Sequence, residues 1–442
     1  MRILTVSPGL STGGAQRVAA NYAVGYANRG HDSRVLTAGG GELEKAVVNA
    51  GAGIWYAETE PWWGGLSRLL SQIEEWKPEV VHFHAHRIPG EIVPSIVGAC
   101  QERKLIVETN IWGKPSSCSP YVDISFQLSD WCCWAYQQRV TAGEEVPVLC
   151  IVPNTVRMDR FYPSSLGDRK AWRQQHGFPE DAIVLGRVGQ SYPGKSHPAV
   201  LSILKRLLET WEDVFFVAVA PSDDFREIAL KFDEKTRNHT LILDRIDEAD
   251  ELRRVYSALD IFLHTTTQGE TFGNVLAEAQ ACETAVVSLA TPGRDNSQCE
   301  TVQSGETGFV VAKWNELHPA VRTLVENDER RRQMGCLGRR RVEELYSNEQ
   351  VIDRLLHLIR LGIAENRKES LQEALREAGL VSKEPYHERM AQHLQSCYGG
   401  LPLYWDLWSR FDKQMGSGFK LCRRLDGYRR KLAEQLIFRL PS

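Results

Sequence analysis

Two glutamates with a short, fixed spacing are the residues of this chain best suited to chemistry. Glu270 and Glu278 stand eight positions apart, where a loop should become a helix. The apolar run Ile261–His264 before them predicts a buried strand, and the composition turns helical from Asn274. The free N–H groups and the dipole of a helix N-terminus attract an anion. A carboxylate on each side of such an anion site suits a diphosphate flanked by hydroxyl-rich groups, as in a sugar nucleotide.

A pair of glutamates at this spacing also has a simpler explanation. Glu270 would cap the predicted helix, and Glu278 would lie on its solvated face. The choice between a ligand site and a surface pair therefore depends on the residues that accompany them.

Two cations flank a loop that directly follows the predicted strand 183–187. Arg187 and Lys195 could neutralise a diphosphate at this strand exit, Arg187 through a bidentate fork and Lys195 as a point charge. The alternative is a solvated loop with ordinary surface cations. The loop lacks the Walker A pattern, so a P-loop kinase is not indicated.

Two glycines, Gly13 and Gly14, occupy the turn between the first predicted strand and the first helix. Glycine permits positive φ and lets a ligand approach the backbone amides, although a plain tight turn also explains the pair. The pattern is not Gly-x-Gly-x-x-Gly, which disfavours dinucleotide binding.

Three histidines alternate on one predicted strand. His82, His84 and His86 would face the same side, but they would lie in a line with no acidic partner nearby. This arrangement disfavours a metal site. We expect the last of them near the strand end to reach a ligand cleft, and the others to pack or meet solvent.

Short apolar runs alternate with helical patterns along most of the chain, and these elements must position the residues above. In the first half the predicted strands are 3–6, 34–37, 80–84 and 105–108, with a helix at 15–29. In the second half they are 183–187, 215–219, 241–243, 261–263 and 285–288. Continuous apolar strands separated by helices indicate parallel sheets covered on both faces. Two such arrays predict an α/β protein with two Rossmann-like domains, whose strand ends enclose a cleft.

The domain boundaries follow from composition. We expect the first domain at 1–160 and the second at 165–350, joined by a linker marked by proline and serine. From about Leu361 onward the strand rhythm stops and the chain looks helical, and we expect a helical C-terminal extension at 351–442. Its end, 409–442, holds nine Lys/Arg and three Asp/Glu and has leucines on one helical face. Such a helix could lie on an anionic membrane surface, or it could pack on the domains or at a dimer contact.

Composition and charge exclude several classes of protein. The net charge of −4 gives no reason to expect a nucleic-acid partner for the whole molecule. None of the ten cysteines forms a Cys-x-x-Cys pair with zinc-ligand spacing. Met1 and Arg2 lead directly into a strand pattern, and the apolar runs are shorter than a membrane span. We expect a cytoplasmic protein with reduced thiols, and the inner face of the membrane is the location that the tail suggests.

In order along residues 1–350, the motifs resemble those of the retaining GT-B glycosyltransferases of family 4. The most specific motif is Glu270-x7-Glu278 within Gly-Glu-Thr-Phe-Gly-Asn-Val-Leu-Ala-Glu-Ala. The supporting matches are Gly13-Gly14-Ala15-Gln16-Arg17, the histidine strand from Pro78 to His84, Val152-Pro153-Asn154, Gly186-Arg187 with Lys195, and Gly305-Glu306-Thr307-Gly308. Each is weak alone, but their common order favours a ligand site for the two glutamates.

The resemblance implies a GT-B fold, in which two Rossmann-like domains face each other across a cleft. It implies that Glu270 contacts hydroxyls of the donor sugar and that Glu278 contacts the ribose of the nucleotide. The residues expected to bind the distal donor phosphate through their backbone amides are Thr271, Phe272, Gly273 and Asn274.

The same resemblance assigns roles to the cations and to the first domain. Arg187 and Lys195 would stabilise the leaving diphosphate, where negative charge develops. His84 would lie against the donor sugar, and Gly13 and Gly14 would line the cleft. The family works without a bound metal, so we expect no metal ion and no cofactor besides the nucleoside-diphosphate sugar.

Three segments depart from the family pattern. The interval from Arg187 to Lys195 is longer than the commonest spacing, which weakens the assignment of Lys195. The loop 291–300 replaces the usual Gly-Gly-x-x-Glu turn and could help to read the nucleotide or the sugar. Residues 108–110 stand where many relatives have histidine and glycine, so the acceptor geometry does not carry over.

The resemblance implies a retaining transferase that moves a hexosyl unit from a nucleoside-diphosphate sugar to a hydroxyl group. Family frequency favours UDP, with GDP and ADP open. The expected acceptor is a saccharide or lipid-linked saccharide of bacterial surface polysaccharide or glycoconjugate synthesis. One alternative is another GT-B enzyme, such as a sugar-nucleotide epimerase or a sugar phosphate synthase, but no matched acid–base pair is evident. Another is a non-catalytic sugar-nucleotide or glycan-binding protein, which would not need the cations of a leaving-group site.

Overall fold

The computed structural model describes residues 1–398 except 12, 58–62, 85–86, 141–144, 193, 196, 292–293, 366–367 and 382–383. These residues form two compact units. The first contains Met1–Thr155 and Ser347–Arg389, and the second contains Val156–Tyr346 and the described residues 390–398. No helix in this part of the chain is long and apolar enough to cross a lipid bilayer.

Strands and helices alternate along the chain, as the apolar runs predict. The strands are β1 (Arg2–Ser7), β2 (Asp32–Thr37), β3 (Gly53–Tyr56), β4 (Val80–His84), β5 (Leu105–Asn110), β6 (Ile124–Gln127), β7 (Val148–Ile151), β8 (Ile183–Val188), β9 (Val214–Val219), β10 (Thr240–Leu243), β11 (Ile261–His264), β12 (Ala285–Leu289) and β13 (Gly308–Val311). The helices are α1 (Gly14–Asn28), α2 (Glu44–Asn49), α3 (Leu66–Trp76), α4 (Val93–Ala99), α5 (Asp130–Gln137), α6 (Leu166–Gln175), α7 (Val200–Leu207), α8 (Asp223–Ala229), α9 (Glu234–Asn238), α10 (Ala249–Ala258), α11 (Asn274–Ala281), α12 (Gln298–Thr301), α13 (Trp314–Glu326), α14 (Asp328–Leu345), α15 (Asn348–Ala364), α16 (Lys368–Glu377) and α17 (Tyr386–Tyr398).

The first unit is built on a seven-stranded parallel sheet in the order β3-β2-β1-β4-β5-β6-β7. Its central strands β1, β4 and β5 are buried along almost their whole length. Near-continuous burial is typical of parallel strands that are covered by helices on both faces.

Helix α15 follows the second unit in sequence but packs on the first. Ile352, Leu355 and Ile359 recur at helical spacing and share one core with Leu105 and Ile124 of the first sheet. This burial places residues 347–389 in the first unit, so the structure differs here from the expected separate extension at 351–442. The chain passes between units after Thr155 and after Tyr346, whereas the sequence suggests boundaries near 160 and 350.

The second unit is built on a six-stranded parallel sheet in the order β10-β9-β8-β11-β12-β13. Its core joins apolar residues of the strands to those of α7, α13 and α14, among them Leu204, Phe216, Leu263 and Leu324. The α/β class with two Rossmann-like sheets is therefore confirmed. Four strands of four residues each, β3, β6, β7 and β13, are not predicted from the sequence, although the equally short β10 and β11 are recognised by their apolar runs.

Each sheet has a switch point, where strands that are not consecutive in the chain lie side by side. The neighbours are β1 and β4 in the first sheet, and β8 and β11 in the second. At such a point the connections leave in opposite directions, and a crevice opens beyond the carboxyl ends of the strands. The predicted functional residues of each unit follow these strands.

Candidate functional site

Glu270 lies between β11 and α11, at the switch point of the second sheet. Its Oε1 accepts hydrogen bonds from Lys195 Nζ at 2.8 Å and from His264 Nε2 at 3.3 Å. Its Oε2 bonds to no described residue, and the side chain is 17% exposed. Burial alone would raise the pKa of Glu270, but the hydrogen bond from His264 and the charge of Lys195 outweigh it and lower the pKa. The carboxylate is therefore ionised at neutral pH, with one oxygen available to a ligand.

The loop after β12 holds the backbone of Glu270 in place. The N–H of Ser297 donates to the Glu270 carbonyl at 2.9 Å. Gly269 adopts a left-handed φ of 81°, and a Cβ there would lie 1.8 Å from the carbonyl oxygen of Asp295. Only glycine meets both requirements. The segment 291–300, which departs from the family pattern, thus supports the glutamate through backbone contacts.

Helix α11 begins immediately after this loop. Its N-cap is Gly273 at φ 90°, so no capping side chain covers the first turn. The predicted phosphate-binding amides lie at this helix start: Thr271, Phe272, Gly273 and Asn274. N–H groups and a positive dipole end at one place favour an anion.

Glu278 lies about one and a half turns into α11 and is half-buried. Its Oε2 accepts a hydrogen bond from the hydroxyl of Tyr256 at 2.9 Å. Tyr256 of α10 is completely buried, and both its burial and the charge of Glu278 raise the pKa of its hydroxyl well above the usual value. The tyrosine is therefore a permanent donor that orients the glutamate.

Arg187 and Lys195 have different hydrogen-bond partners. Its guanidinium is buried, and Nη1 donates to the carbonyls of Val219 and Ala220 at 2.8 and 3.1 Å. Burial lowers the pKa of Arg187 to about 10, so it remains a cation at neutral pH. Its other N–H groups bond to no described residue. The expected pair of cations is present, but Lys195 is held by Glu270 and Arg187 by the carboxyl end of β9.

In the first unit, His84 ends β4 at the switch point. It is 2% exposed, and its Nε2 has no hydrogen-bond partner among the described residues. Its ring stacks on His82 at 4.6 Å, and burial lowers the pKa of His84 to about 3, so the ring is neutral. His82 packs in the core, with hydrogen bonds of 2.8 Å to Tyr26 and Thr109 at its two ring nitrogens. His86 lies outside the described residues.

Gly13 and Gly14 lie at the start of α1, beside the end of β1. Gly13 is the N-cap with φ −61°, a conformation open to any residue. The three atoms nearest to a Cβ at Gly13 would all belong to the flexible side chain of Gln16, and a Cβ at Gly14 would meet nothing within 4 Å. A turn that demands positive φ is therefore not the reason for these glycines, and Gly14 borders open space.

Two further residues of the site carry little sequence signal. His264 ends an apolar strand. A buried imidazole requires hydrogen-bond partners, and this requirement was the sequence signal that could have indicated a role for His264. Tyr256 lies on the apolar face of α10, and its pairing with a glutamate 22 positions away is not visible in a periodic pattern.

Two Rossmann-like parallel sheets, the second with a paired-glutamate site at its switch point, define a protein of the GT-B class. Two family models match the chain, "Glycosyl transferases group 1" at residues 168–341 and "Glycosyltransferase Family 4" at residues 12–97. Together they cover more than half of the sequence. The chain is therefore similar, within each of its two units, to the family 4 type of GT-B glycosyltransferases.

Curated relatives match about half of the chain. One is the capsular polysaccharide biosynthesis glycosyltransferase CapM of Staphylococcus aureus, 26% identical over 46% of this chain and 51% of the relative. Another is the D-inositol 3-phosphate glycosyltransferase of Geodermatophilus obscurus, 31% identical over 47% of this chain and 46% of the relative. The chain thus spans about half the length of these relatives.

Solved structures share the fold. A glycosyltransferase from Rickettsia africae has a TM-score of 0.67 at 17% identity, covering 83% of this chain and 99% of its own. Anabaena HepE in complex with UDP has a TM-score of 0.66 at 17% identity, covering 81% of this chain and 99% of its own. At this identity the likeness establishes the GT-B fold.

Proposed function

We propose that this protein transfers a hexosyl unit from a nucleoside-diphosphate sugar to a hydroxyl group of a saccharide, with retention of anomeric configuration. The observation that carries the proposal is the state of Glu270. Its ionised carboxylate is held through Oε1 by Lys195 and His264, while Oε2 has no partner among the described residues. A fixed acceptor beside a cation and an uncapped helix start suits a sugar hydroxyl next to a diphosphate.

Different groups of the second unit bind the different parts of the donor. The start of α11 receives the distal phosphate, and Glu278 accepts hydroxyls of the ribose while Tyr256 holds its other side. Lys195 and the unbonded N–H groups of Arg187 face the negative charge that develops on the leaving diphosphate. UDP is the proposed nucleotide, supported by the UDP and UDP-glucose complexes of HepE.

The proposed reaction uses these contacts. The bond between the anomeric carbon and the diphosphate oxygen breaks, and the acceptor oxygen bonds to the same face of that carbon. The acceptor proton passes to the leaving phosphate oxygen, so no protein base is needed. His84, neutral because of its low pKa, positions the sugar without adding charge. Lys195 and Arg187 supply the positive charge, which is why we propose catalysis without a metal ion.

The acceptor class is proposed from the relatives. Their names include a capsular polysaccharide glycosyltransferase and a mannosyltransferase acting on a phosphatidylinositol monomannoside. We therefore propose a saccharide or lipid-linked saccharide acceptor in polysaccharide or glycolipid synthesis.

A thermal-shift screen with UDP, GDP, ADP and their hexose conjugates tests the donor. A nucleotide present at 100 times its Kd should stabilise the folded protein by about 2.7 kcal/mol. The responding donor is then incubated with and without saccharide acceptors, and nucleoside diphosphate and product are measured. Release that depends on an acceptor supports transfer. Isomerisation of the donor alone would support an epimerase, and binding without turnover would support a binding protein.

The basic segment 409–442 lies outside the described residues, and we propose that it holds the protein on an anionic membrane. Each Lys/Arg near such a surface contributes about 1 kcal/mol. Sedimentation with vesicles containing phosphatidylglycerol, compared between the full chain and a chain ending at 408, tests this. Equal sedimentation of the two proteins would favour packing of the segment on the protein itself or at a dimer contact.

A further inference from the structure

His264 touches the central glutamate of the site but has no assigned role. It is the last residue of β11 and is 5% exposed. Its Nδ1 lies 2.9 Å from the hydroxyl of Ser288, and its Nε2 lies 3.3 Å from Glu270 Oε1. His264 and Ser288 are direct neighbours in the pairing of β11 with β12. The imidazole is therefore fixed at both nitrogens.

The contact with Glu270 shows that Nε2 of His264 must carry a proton. A carboxylate can only accept, so Nε2 of His264 must donate to Glu270. In the neutral ring Nδ1 is then an acceptor, which the hydroxyl of Ser288 can satisfy by donating. The hydroxyl of Ser288 is thus able to support the tautomer that binds Glu270, because the strand pairing holds the two side chains side by side.

Glu270 is held asymmetrically as a result. Lys195 reaches Oε1 from the loop after β8, and His264 reaches the same oxygen from β11. Two donors, one from the loop after β8 and one from β11, thus hold Oε1 of Glu270 in place. Only Oε2 is left without a partner among the described residues.

We infer that His264, locked by Ser288, is a positioning residue for the donor sugar: it holds Glu270 so that Oε2 accepts a hydroxyl of the sugar. The inference rests on the proposed function and adds to it a residue that separates sugar recognition from nucleotide recognition. Apart from Lys195, the described groups proposed to bind the nucleotide make no hydrogen bond with His264 or with the carboxylate of Glu270: Glu278 with Tyr256, the start of α11, and Arg187. Loss of His264 therefore weakens the sugar contact and spares the nucleotide.

The test compares UDP with UDP-glucose on the full chain. GDP and GDP-mannose replace them if the wild-type protein binds guanine. Calorimetry gives the affinity for each, and initial rates give kcat and KM. For His264→Leu we expect UDP affinity within about threefold of wild type and kcat/KM for UDP-glucose lower by about 10- to 100-fold. His264→Gln keeps an N–H donor and should recover most of this loss.

Three further variants sharpen the result. Ser288→Ala removes the tautomer lock, and we expect a smaller loss of the same kind, about 3- to 10-fold. Tyr256→Phe should show the opposite pattern, with weaker binding of both UDP and UDP-glucose. His176→Asn is the matched control, because His176 is a half-buried histidine bonded to the Trp172 carbonyl at the C-cap of α6. We expect its kinetics to match wild type.

The pH profile separates positioning from a general loss of structure. The titratable groups that face Glu270 are Lys195 of the loop after β8 and His264 of β11. Without His264, burial is opposed by Lys195 alone, so the pKa of Glu270 should rise. The acidic limb of the kcat/KM profile should then move to higher pH in His264→Leu, whereas a merely damaged fold would lower activity without moving it.

Equal losses of UDP and UDP-glucose affinity in His264→Leu, or unchanged kinetics, would overturn the inference. If His264→Leu does not fold, His264→Gln and Ser288→Ala test the inference instead. The ratio of UDP affinity to UDP-glucose affinity and the acidic limb of the kcat/KM profile are then compared with wild type. A wild-type protein that binds no nucleotide would refute the proposed function itself, and the inference with it.

Discussion

The carboxyl edges of the two sheets share a strand order around the switch point but differ in charge. At the edge of the second sheet, Glu270 is ionised and is paired with Lys195, and Arg187 remains protonated nearby. At the edge of the first sheet, burial lowers the pKa of both His82 and His84, so both rings are neutral.

The first sheet does contain a buried carboxylate, and its surroundings underline the contrast. Glu108 of β5 is completely buried and accepts hydrogen bonds of 2.6 Å from the hydroxyls of Ser116 and Ser125. No described cation pairs with it, and burial raises its pKa. The fold provides a crevice in both units, but the charge at each edge decides which ligand suits it. We propose that the second edge binds the charged diphosphate sugar and that the first accommodates neutral hydroxyl groups.

The largest effect on transfer is expected at the carboxyl edge of the second sheet, where the charged residues lie. Glu270→Gln removes the anion that holds Lys195 and the acceptor for the sugar hydroxyl, and we expect kcat/KM for transfer to fall by about 100- to 1000-fold. Steady-state rates with the donor found in the thermal-shift screen measure it. The contrast fails if a comparable loss arises from Glu108→Gln, because Glu108 does not face a charged ligand.

Glycine substitutions probe the same contrast through the backbone. Gly269→Ala places a Cβ 1.8 Å from the Asp295 carbonyl at φ 81°, and we expect a loss of at least about 2 kcal/mol of stability together with most activity. Gly14→Ala meets open space in the first unit and should change stability by less than about 0.5 kcal/mol. Chemical denaturation of both variants gives the comparison. Equal destabilisation would show that the two turns are constrained alike.

His84 should matter less than the charged residues. His84→Gln keeps a polar neutral side chain at the end of β4, and we expect kcat to fall about 10-fold with little change in UDP affinity. Calorimetry and initial rates together measure this. A large loss of UDP affinity would indicate that the nucleotide contacts the carboxyl edge of the first sheet. It would contradict the proposed difference between the neutral first edge and the charged second edge.

The smallest effect concerns the pH dependence of stability. Because the pKa of Glu108 is raised in the folded state, its contribution is fully present below the unfolded value of about 4.5 and is lost as pH rises through the folded value. Thermal unfolding between pH 5 and 8 should show wild type losing stability relative to Glu108→Gln as pH rises.

Glu79 of the same unit is the control with the opposite sign. The Arg2 N–H and Lys104 lower its pKa, so its contribution is present above the unfolded value and is lost as pH falls through the lower folded value. Glu79→Gln should therefore cost stability at neutral pH, and this cost should shrink on acidification. A pH dependence of the same sign in both variants would contradict the assignment for Glu108.

Much of the fold could be predicted because its signals are local. Apolar runs of three to five residues between helical patterns mark nine of the thirteen strands in the described residues, and Gly30 after the first helix marks its end. The motif from Gly269 to Glu278 likewise contains its own loop and helix start. What has no local signal is the position of α15, whose apolar stripe fits either unit equally well by periodicity.

The sequence by itself determined the two parallel sheets and the spacing that puts Glu270 before a helix start and Glu278 inside it. Only the tertiary structure decided how those carboxylates are held. Lys195, 75 positions before Glu270, and Tyr256, 22 positions before Glu278, meet them because the sheet order brings β8 beside β11 and packs α10 near α11. The physical reason is that hydrophobic periodicity encodes which face of an element is buried, whereas the partner of a buried polar atom depends on which elements become neighbours.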